Sequence, residues 1–460
     1  MANSIYLLIA QKIRALSELC DKGFEKFAFP LSCAAAFFLP IRLIFAYWAI
    51  SPLSLLWLLK KGPKLSTPQD KKAQIPEAFL LLIGVFSIIS VLGRNPLNSL
   101  RSCLTLFLFA VMLFAIREVA SKNNALKLVF WLVAGQSLAA INTFIAAIHP
   151  SYPRVLIGQV SESGQLGISL FLAIGLCAYN IKANLNLHQR IIKFIPVIFL
   201  LTILLSILAF LSLAEMDSLW ALSCLLLATG IILAVLIKAW KEYGIRALSS
   251  IYVLFFLSIP FLCTALLSNL KRGPWAGVLV GSIIFAFKYA KKWVFGIIFI
   301  AIILLISFQP IRTRIVESPR HFFMTGGRSE IWKIGSELVF NYPLGVGLKN
   351  SKYLREYSLS IPPGMTHFHN NLLNITAETG WIGLSVFLWW LTLVLSHAFR
   401  TAENPILARS IGCAIISWQV AGLVEYNFGD SEVLLVALFA IGILSSFEIS
   451  SQLTKKQRSN

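Results

Sequence analysis

The sequence predicts an all-α, polytopic membrane protein with about 12–14 transmembrane helices. Hydrophobic residues make up 57% of the 460 residues, charged residues only 13%, and the mean hydropathy is +0.78. The apolar runs are about 17 to 25 residues long, the length that a helix needs to cross a hydrocarbon core of ~30 Å. They lack the alternation that barrel strands show. The composition therefore excludes a soluble fold.

Fourteen apolar runs are candidate spans. Pro40 and Arg42 divide one long apolar stretch, so we expect two short helices joined by a tight turn there. The candidate spans are residues 24–40, 42–60, 76–92, 98–116, 126–148, 164–181, 191–213, 217–237, 248–267, 273–289, 292–309, 371–397, 406–424 and 431–449. They predict three regions: an N-terminal transmembrane helix bundle (1–309), a large outer loop with short helices (310–370) and C-terminal transmembrane helices (371–460).

The distribution of basic residues predicts the orientation of the chain. An even number of spans places both termini on one side, and 26 of the 40 Lys and Arg residues fall in segments on that side. By the positive-inside rule, the termini are cytoplasmic and the large loop lies outside. The net charge of +20 is then an orientation signal and a surface that attracts anionic lipids, and nucleic-acid binding explains it poorly.

Cysteine and aspartate usage predicts neither disulfides nor a metal site. The seven cysteines lie mostly within apolar runs and show no paired spacing. The four aspartates form no Asp-x-Asp pair that would hold a divalent ion. Residues 1–23 lack a small-residue cleavage site, so we expect no removable signal peptide.

A long polar loop runs from about Gln309 to Asn370, and loops of this length are often functional. Eight basic minus four acidic residues leave it a net charge of +4, although the positive-inside rule disfavours such charge outside. The excess indicates an anionic ligand or, alternatively, a surface that faces solvent or lipid phosphates. The basic residues are Arg312, Arg314, Arg320, Arg328, Lys333, Lys349, Lys352 and Arg355.

Arg328 is a candidate for binding phosphate. It follows Gly326 and Gly327 and begins a stretch with apolar residues at helical spacing, which Asn341-Tyr342-Pro343 should end. A guanidinium beside free amides at a helix N-terminus favours a phosphate group. The alternative is an exposed arginine that packs on Trp332.

Lys271 and Arg272 form a second basic site, between two helix ends on the outer side. Gly273-Pro274 fixes a short turn, with proline favoured in the first turn of the next helix. The turn should hold Arg272 at the mouth of the bundle. An arginine that only extends its charge to the membrane surface is the alternative.

His367 and His369 are the only two of the six histidines that lie close together in the sequence. They precede an apolar helix and border the polar loop. With an ordinary pKa near 6.5, a histidine there is a candidate general base. The alternative is a histidine that only caps the helix.

Glu378 lies within the same apolar run, nine residues after His369. On a continuous helix this spacing puts it on nearly the opposite face, so we do not expect it to orient His369 directly. It forms a polar stripe with Asn371 and Asn374, and ionisable groups at such depth are functional candidates. A structural hydrogen bond to a neighbouring helix is the alternative.

Several motifs together resemble the O-antigen ligase and O-antigen polymerase superfamily. The strongest match covers about sixty residues, and Lys271 departs from the Ser-Arg-Gly type of turn that is usual in that family. The matching segments are Arg328 to Gly347 with Trp332, Pro343, Gly345 and Gly347; His367-Phe368-His369-Asn370; Glu378-Thr379-Gly380-Trp381-Ile382-Gly383; and Lys271-Arg272-Gly273-Pro274-Trp275.

The resemblance implies a metal-independent glycosyltransferase without cofactor, in the bacterial inner membrane. It implies transfer of an undecaprenyl-pyrophosphate-linked glycan to lipid A-core oligosaccharide at the periplasmic face, in lipopolysaccharide biosynthesis. His369 would be the general base and Arg272 and Arg328 would bind the pyrophosphate. The supporting candidates are His367, Glu378, Lys271, Arg312 and Arg314.

Three other functions remain open. An O-antigen polymerase would use a second lipid-linked glycan as its acceptor, and a protein O-oligosaccharyltransferase would use a protein. A multispanning transporter is a different class, which predicts charges at the midplane, broken helices and related halves. Here the ionisable residues concentrate in one outer loop instead.

Overall fold

The computed structural model describes residues 2–61, 75–148, 162–183, 258–259, 262–263, 265–289, 291, 294–296, 298–299, 302, 309–324, 326–350 and 364–459. The regular elements of these residues are helices, which confirms the predicted fold class. The predicted spans 191–213 and 217–237 lie outside the described residues, so the total helix count stays a prediction.

Among the residues that the structure describes, seven long helices precede the long polar loop, three short helices lie within it and three long helices follow it. A π-helical turn at Ala120–Asn124 joins the fourth and fifth helices. The helices are α1 (Ala2–Phe38), α2 (Leu43–Lys61), α3 (Ile75–Leu92), α4 (Pro96–Val119), α5 (Ala125–Ile148), α6 (Ser163–Ala183), α7 (Arg272–Tyr289), α8 (Gln309–Val316), α9 (Ser318–Phe323), α10 (Arg328–Asn341), α11 (Asn371–Arg400), α12 (Pro405–Ala421) and α13 (Ser431–Ser459).

The bounds of most helices agree closely with the predicted spans, and α13 continues to Ser459, beyond the predicted end at 449. The predicted division of the first apolar stretch is confirmed, because α1 ends at Phe38 and its carbonyl accepts hydrogen bonds from the amides of Ile41 and Arg42. The main difference is that α1 begins at Ala2, because its polar-interrupted first part continues the helix. The described parts of the predicted spans 248–267 and 292–309 are helical.

The chain is a multi-pass membrane protein. Within the described residues, four helices are long and apolar enough to span a bilayer, at Leu43–Lys60, Ile75–Leu92, Pro96–Val119 and Asn371–Arg400, and several shorter apolar helices accompany them. The cytoplasmic position of the termini and the outer position of the loop stay predictions.

Aromatic and glycine contacts hold the bundle together behind the loop. The Phe79 ring on α3 packs on Trp390 of α11, with ring centroids 5.0 Å apart. A side chain at Gly277 of α7 would meet the backbone oxygen of Ser417 at 2.2 Å, so glycine lets α7 and α12 approach closely. A smaller apolar cluster, which includes Ile334 of α10 and Phe368, packs the loop onto the start of α11.

Gly380 interrupts α11 in its middle. Its φ of 65° and ψ of −175° lie in a region that only glycine enters readily, and a Cβ there would meet the Pro343 oxygen at 2.4 Å. The break leaves carbonyls that the helix does not use. Those of Ala377 and Glu378 accept hydrogen bonds of 3.0 and 2.8 Å from the amides of Val346 and Gly347. The segment after α10 is thereby docked onto α11.

Candidate active site

A cavity of about 920 Å³ lies where the outer loop meets the bundle. One wall is apolar and includes Leu106 and Phe109 of α4 and Leu434 of α13. Further lining residues come from the loop, the start of α6, the turn before α7 and residues 422–430, which connect α12 to α13. The charged and titratable side chains that line it are Glu162, Lys271, Arg328, Lys349, His367, His369, Glu425, Tyr426 and Asp430.

Phe368 anchors the two predicted histidines. Its side chain is fully buried, its amide donates to Asn374 Oδ1 at 2.9 Å, and its carbonyl accepts from Trp332 Nε1 at 3.0 Å. Asn370 then caps α11, because its Oδ1 accepts from the Leu373 amide at 3.0 Å. The histidines therefore extend from a backbone that is fixed on both sides.

His367 and His369 lie side by side in the cavity. Their ring centroids are 4.3 Å apart at an interplanar angle of 69°. His369 has a φ of 51°, a left-handed conformation that is uncommon for a residue other than glycine. His367 Nδ1 lies 2.9 Å from Thr366 Oγ1, and its ring packs beside Tyr426 at 5.8 Å. The cavity thus receives both imidazoles.

The surroundings of the pair favour neutral imidazoles. Burial, the neighbouring His367 and the charge of Arg328 lower the pKa of His369 to about 4. Burial and the charge of Lys349 lower the pKa of His367. A general base must start unprotonated, and His369 meets that condition at neutral pH.

Arg328 lies at the helix start that the sequence predicts. It is the first residue of α10, directly after the N-cap Gly327, and its side chain lines the cavity. Burial and the nearby charge of Arg272 lower the pKa of Arg328, and the charge of Glu425 offsets part of this decrease. Arg328 therefore presents a partly desolvated guanidinium, with a second arginine near enough to act on it.

Lys271 and Arg272 point to different partners. Lys271 lines the cavity and forms an ion pair with Glu162, with Nζ and Oε2 2.7 Å apart. Arg272 Nη1 donates to the Arg314 carbonyl at 2.9 Å and to Ser318 Oγ, so it ties the start of α7 to α8 and α9. The basic turn and the loop therefore meet, but Lys271 rather than Arg272 lines the cavity.

The other predicted supporting residues, Arg312, Arg314 and Glu378, are not among the residues that line the cavity. Arg312 and Arg314 are exposed on α8, and Arg314 contributes its backbone carbonyl to Arg272. Glu378 is fully buried in α11. The helical spacing between His369 and Glu378 says nothing about their relative positions, because His369 precedes α11. Glu378 is connected to the histidine segment through hydrogen bonds of Asn374. Its carboxyl group accepts a hydrogen bond from the Tyr426 hydroxyl, which belongs to the segment between α12 and α13 and not to a neighbouring helix.

The sequence interpretation missed the segment between α12 and α13. Glu425, Tyr426 and Asp430 all line the cavity. Burial raises the pKa of Glu425, and the charges of Lys271 and Arg328 offset part of that rise. Burial also raises the pKa of Asp430. The sequence does contain a signal for this segment. It is a short run of polar residues between two apolar spans, on the side predicted to be outside.

Lys349 was counted in the sequence only as part of the loop charge. Its ammonium donates to the Gly429 carbonyl and lies 5.4 Å from the centre of the Tyr426 ring. It therefore connects the loop to the segment between α12 and α13 and adds a second cation to the histidine side of the cavity.

Comparison with known proteins identifies a family domain. Residues 253–388 match the family described as O-Antigen ligase. "Putative polysaccharide ligase RT0347" of Rickettsia typhi is 26% identical over 123 residues, which are 25% of this chain and 30% of that protein. "Putative polysaccharide ligase RC0486" of Rickettsia conorii is 31% identical over 106 residues, 21% of this chain and 26% of that protein.

The chain therefore carries an O-antigen ligase family domain and is distantly homologous to these proteins. The matched segment includes Lys271, Arg272, Arg328, His369 and Glu378, and it ends before Tyr426. The alignments span less than a third of the length of these curated relatives.

Proposed function

We propose that this chain, which carries an O-antigen ligase family domain, is a glycosyltransferase of the bacterial inner membrane. The donor is a glycan on undecaprenyl pyrophosphate and the acceptor is a hydroxyl of lipid A-core oligosaccharide at the periplasmic face. One observation carries the proposal: His369 and Arg328 line the same cavity as the apolar side chains of Leu106, Phe109 and Leu434. A polyprenyl-pyrophosphate donor requires a cationic pocket beside an apolar surface, and glycosyl transfer requires a base beside both.

The proposed reaction is one substitution at the anomeric carbon. The acceptor oxygen forms a bond to that carbon while the bond to the phosphate oxygen breaks. The electron pair of that bond leaves with undecaprenyl pyrophosphate, and the hydroxyl proton passes to neutral His369. The low pKa of His369 keeps its nitrogen free to accept the proton.

Fixed cations take the role of stabilising the departing pyrophosphate in this proposal. Arg328 and Lys349 both line the cavity, so both would offset the developing negative charge. Arg272 is proposed as the second arginine. Its two hydrogen bonds to α8 and α9 both use Nη1, and a guanidinium has further donors on Nε and Nη2.

The acceptor distinguishes this proposal from its closest alternatives. An O-antigen polymerase or a protein O-oligosaccharyltransferase would use the same donor chemistry and the same residues. The lipopolysaccharide banding pattern of a deletion strain separates them. Loss of a ligase leaves full-length polymer on its lipid carrier, loss of a polymerase leaves core with a single repeat, and loss of a protein-modifying enzyme leaves the pattern unchanged.

Purified enzyme tests the reaction itself. The full chain in lipid nanodiscs should transfer glycan from an undecaprenyl-pyrophosphate donor to lipid A-core, and the His369→Ala variant should not. Equal transfer by both proteins would refute the proposed base. Failure of the wild-type protein to transfer any glycan, together with an unchanged banding pattern in the deletion strain, would refute the proposed function.

A further inference from the structure

The carboxyl group of Glu378 is fully buried and joins two parts of the site. Its Oε1 accepts a hydrogen bond of 2.9 Å from Asn374 Nδ2, and its Oε2 accepts one of 3.1 Å from the Tyr426 hydroxyl. Asn374 is one turn earlier on α11, and Tyr426 belongs to the segment between α12 and α13. The proposed reaction uses none of these three side chains.

The Asn374 branch leads to the backbone between the two histidines. Asn374 is fully buried, and its Oδ1 accepts a hydrogen bond of 2.9 Å from the Phe368 amide. An amide side chain presents its oxygen to Phe368 only while its NH₂ group has an acceptor on the other side. Glu378 supplies that acceptor. The carboxyl group therefore fixes which way Asn374 faces, and Asn374 fixes the peptide that carries His367 and His369.

The Tyr426 branch leads to the side of the histidine pair. The Tyr426 ring lies beside His367, with ring centroids 5.8 Å apart and an interplanar angle of 32°, and Lys349 Nζ lies 5.4 Å from the ring centre. The bond to Glu378 holds the hydroxyl end of this ring. The position of the ring thus limits where His367 and Lys349 can lie.

We propose that Glu378 is a positioning residue for the histidine pair, acting through Asn374 on the Phe368 backbone and through Tyr426 on His367. This inference rests on the proposed function, because it assigns a purpose to the geometry of His369. The positioning role requires the hydrogen-bond acceptor oxygens of Glu378 rather than its negative charge. A glutamine can satisfy both neighbours, since its oxygen accepts from Asn374 and the Tyr426 hydroxyl can rotate to accept from its NH₂ group.

Four variants separate positioning from charge and from general packing. Glu378→Gln keeps the hydrogen bonds without the charge, and Glu378→Met keeps the length without either. Tyr426→Phe removes one hydroxyl and leaves the ring. Thr379→Val is the matched control, because Thr379 is equally buried on α11 but its hydroxyl bonds only within the helix, to the Ile375 carbonyl at 2.7 Å.

The full-length variants are assayed in nanodiscs for kcat and for the donor KM. Glu378→Met should lower kcat by about 10- to 100-fold, the scale that misplacement of a reacting group produces, with little change in donor KM. Tyr426→Phe should lower kcat by a smaller factor. Glu378→Gln should stay close to the wild type, as should Thr379→Val.

A second measurement needs no substrate. Diethyl pyrocarbonate modifies accessible neutral imidazoles, and mass spectrometry gives separate rates for His367 and His369. Glu378→Met and Tyr426→Phe should change these rates, whereas Glu378→Gln and Thr379→Val should not. If the wild type transfers no glycan but the modification rates follow this order, the proposed function fails and the positioning role stands.

Three results would overturn the inference. The first is wild-type kcat and wild-type modification rates in Glu378→Met. The second is a loss in Glu378→Gln as large as in Glu378→Met, which would assign the effect to charge. If Glu378→Met does not accumulate in the membrane, Tyr426→Phe decides. The third result is then a Tyr426→Phe variant with wild-type kcat and wild-type modification rates.

Discussion

Arg328 and His369 line one cavity, and the charge of Arg328 contributes to lowering the pKa of His369. The same guanidinium is proposed to bind pyrophosphate. A bound pyrophosphate would offset that charge and raise the pKa of His369, so that the base becomes stronger when the donor is in place. Arg328 thus favours a neutral imidazole, and a bound pyrophosphate would make that imidazole more basic.

The pKa of His369 predicts an unusual pH dependence. Because the pKa is lowered to about 4, His369 should stay neutral as the pH falls through the ordinary histidine range near 6.5. The rate at which diethyl pyrocarbonate modifies His369 should therefore decline only in more acidic solution. In Arg328→Gln the decline should move to higher pH, since one cause of the lowered pKa is removed. A wild-type midpoint near 6.5 would contradict the proposed electrostatics.

Replacing His369 should abolish most transfer. His369→Ala is expected to lower kcat by roughly 10²- to 10⁴-fold, the usual contribution of a general base, while donor binding is retained. His367→Ala should cost less, because His369 and not His367 is the proposed base. His321→Ala is the control, since His321 is exposed on α9 and lies 3.6 Å from Glu317. A larger loss in His367→Ala than in His369→Ala would reverse the assignment of the base.

The guanidinium shape of Arg328 should matter beyond its charge. Arg328→Lys keeps the charge but loses the planar set of donors that a pyrophosphate can use. A hydrogen bond to a charged group is worth about 1.5–3 kcal/mol, so transfer at low donor concentration should fall by roughly tenfold or more. Arg272→Lys should also impair transfer. Arg320→Lys on exposed α9 is the matched control, and wild-type activity in the first two variants would leave only a general charge requirement.

The predicted topology can be tested with introduced cysteines in a cysteine-free chain. Asn341→Cys, exposed at the end of α10, should react with an impermeant thiol reagent in intact spheroplasts. Ala402→Cys, exposed between α11 and α12, should react only after permeabilisation. The reason is the excess of basic residues on the side of the termini. The opposite pattern would place the loop in the cytoplasm.

The break in α11 predicts a sharp difference between two glycines. Gly380→Ala should lower the thermal stability of the purified protein, because alanine is strained at a φ of 65° and its Cβ would meet the Pro343 oxygen. Gly84→Ala, in α3 where a Cβ meets nothing within 4 Å, should be neutral or stabilising. Fluorescence-detected thermal unfolding in detergent measures both. Equal stability of the two variants would mean that the break is not required.

Local signals in the sequence predict much of the site. The glycines before Arg328 and the apolar spacing after it predict the start of α10, and the hydropathy runs predict the bounds of most described helices. The proximity of His367 and His369 in the sequence leads directly to their shared cavity. These features depend on residues within a few turns of each other, so a single sequence contains them.

Features that depend on distant contacts could not be predicted in this way. Gly380 lies in an apolar run that has the pattern of an unbroken helix. The break in α11 depends on the distant amides of Val346 and Gly347, which bond to the carbonyls that the break leaves free. The role of Tyr426 depends on meeting Glu378 from 48 residues away. The low pKa of His369 depends on burial, which follows from packing.

Part of the cavity lining comes from residues 422–430, between α12 and α13. Chains are synthesised from the N-terminus and fold in that order. His369 and Arg328 are therefore made before Tyr426 and Asp430 exist to enclose them. The proposed catalytic centre is therefore complete only after α12 and α13 have inserted into the bilayer. A nascent or truncated protein can contain His369 and Arg328 and still lack an enclosed active site.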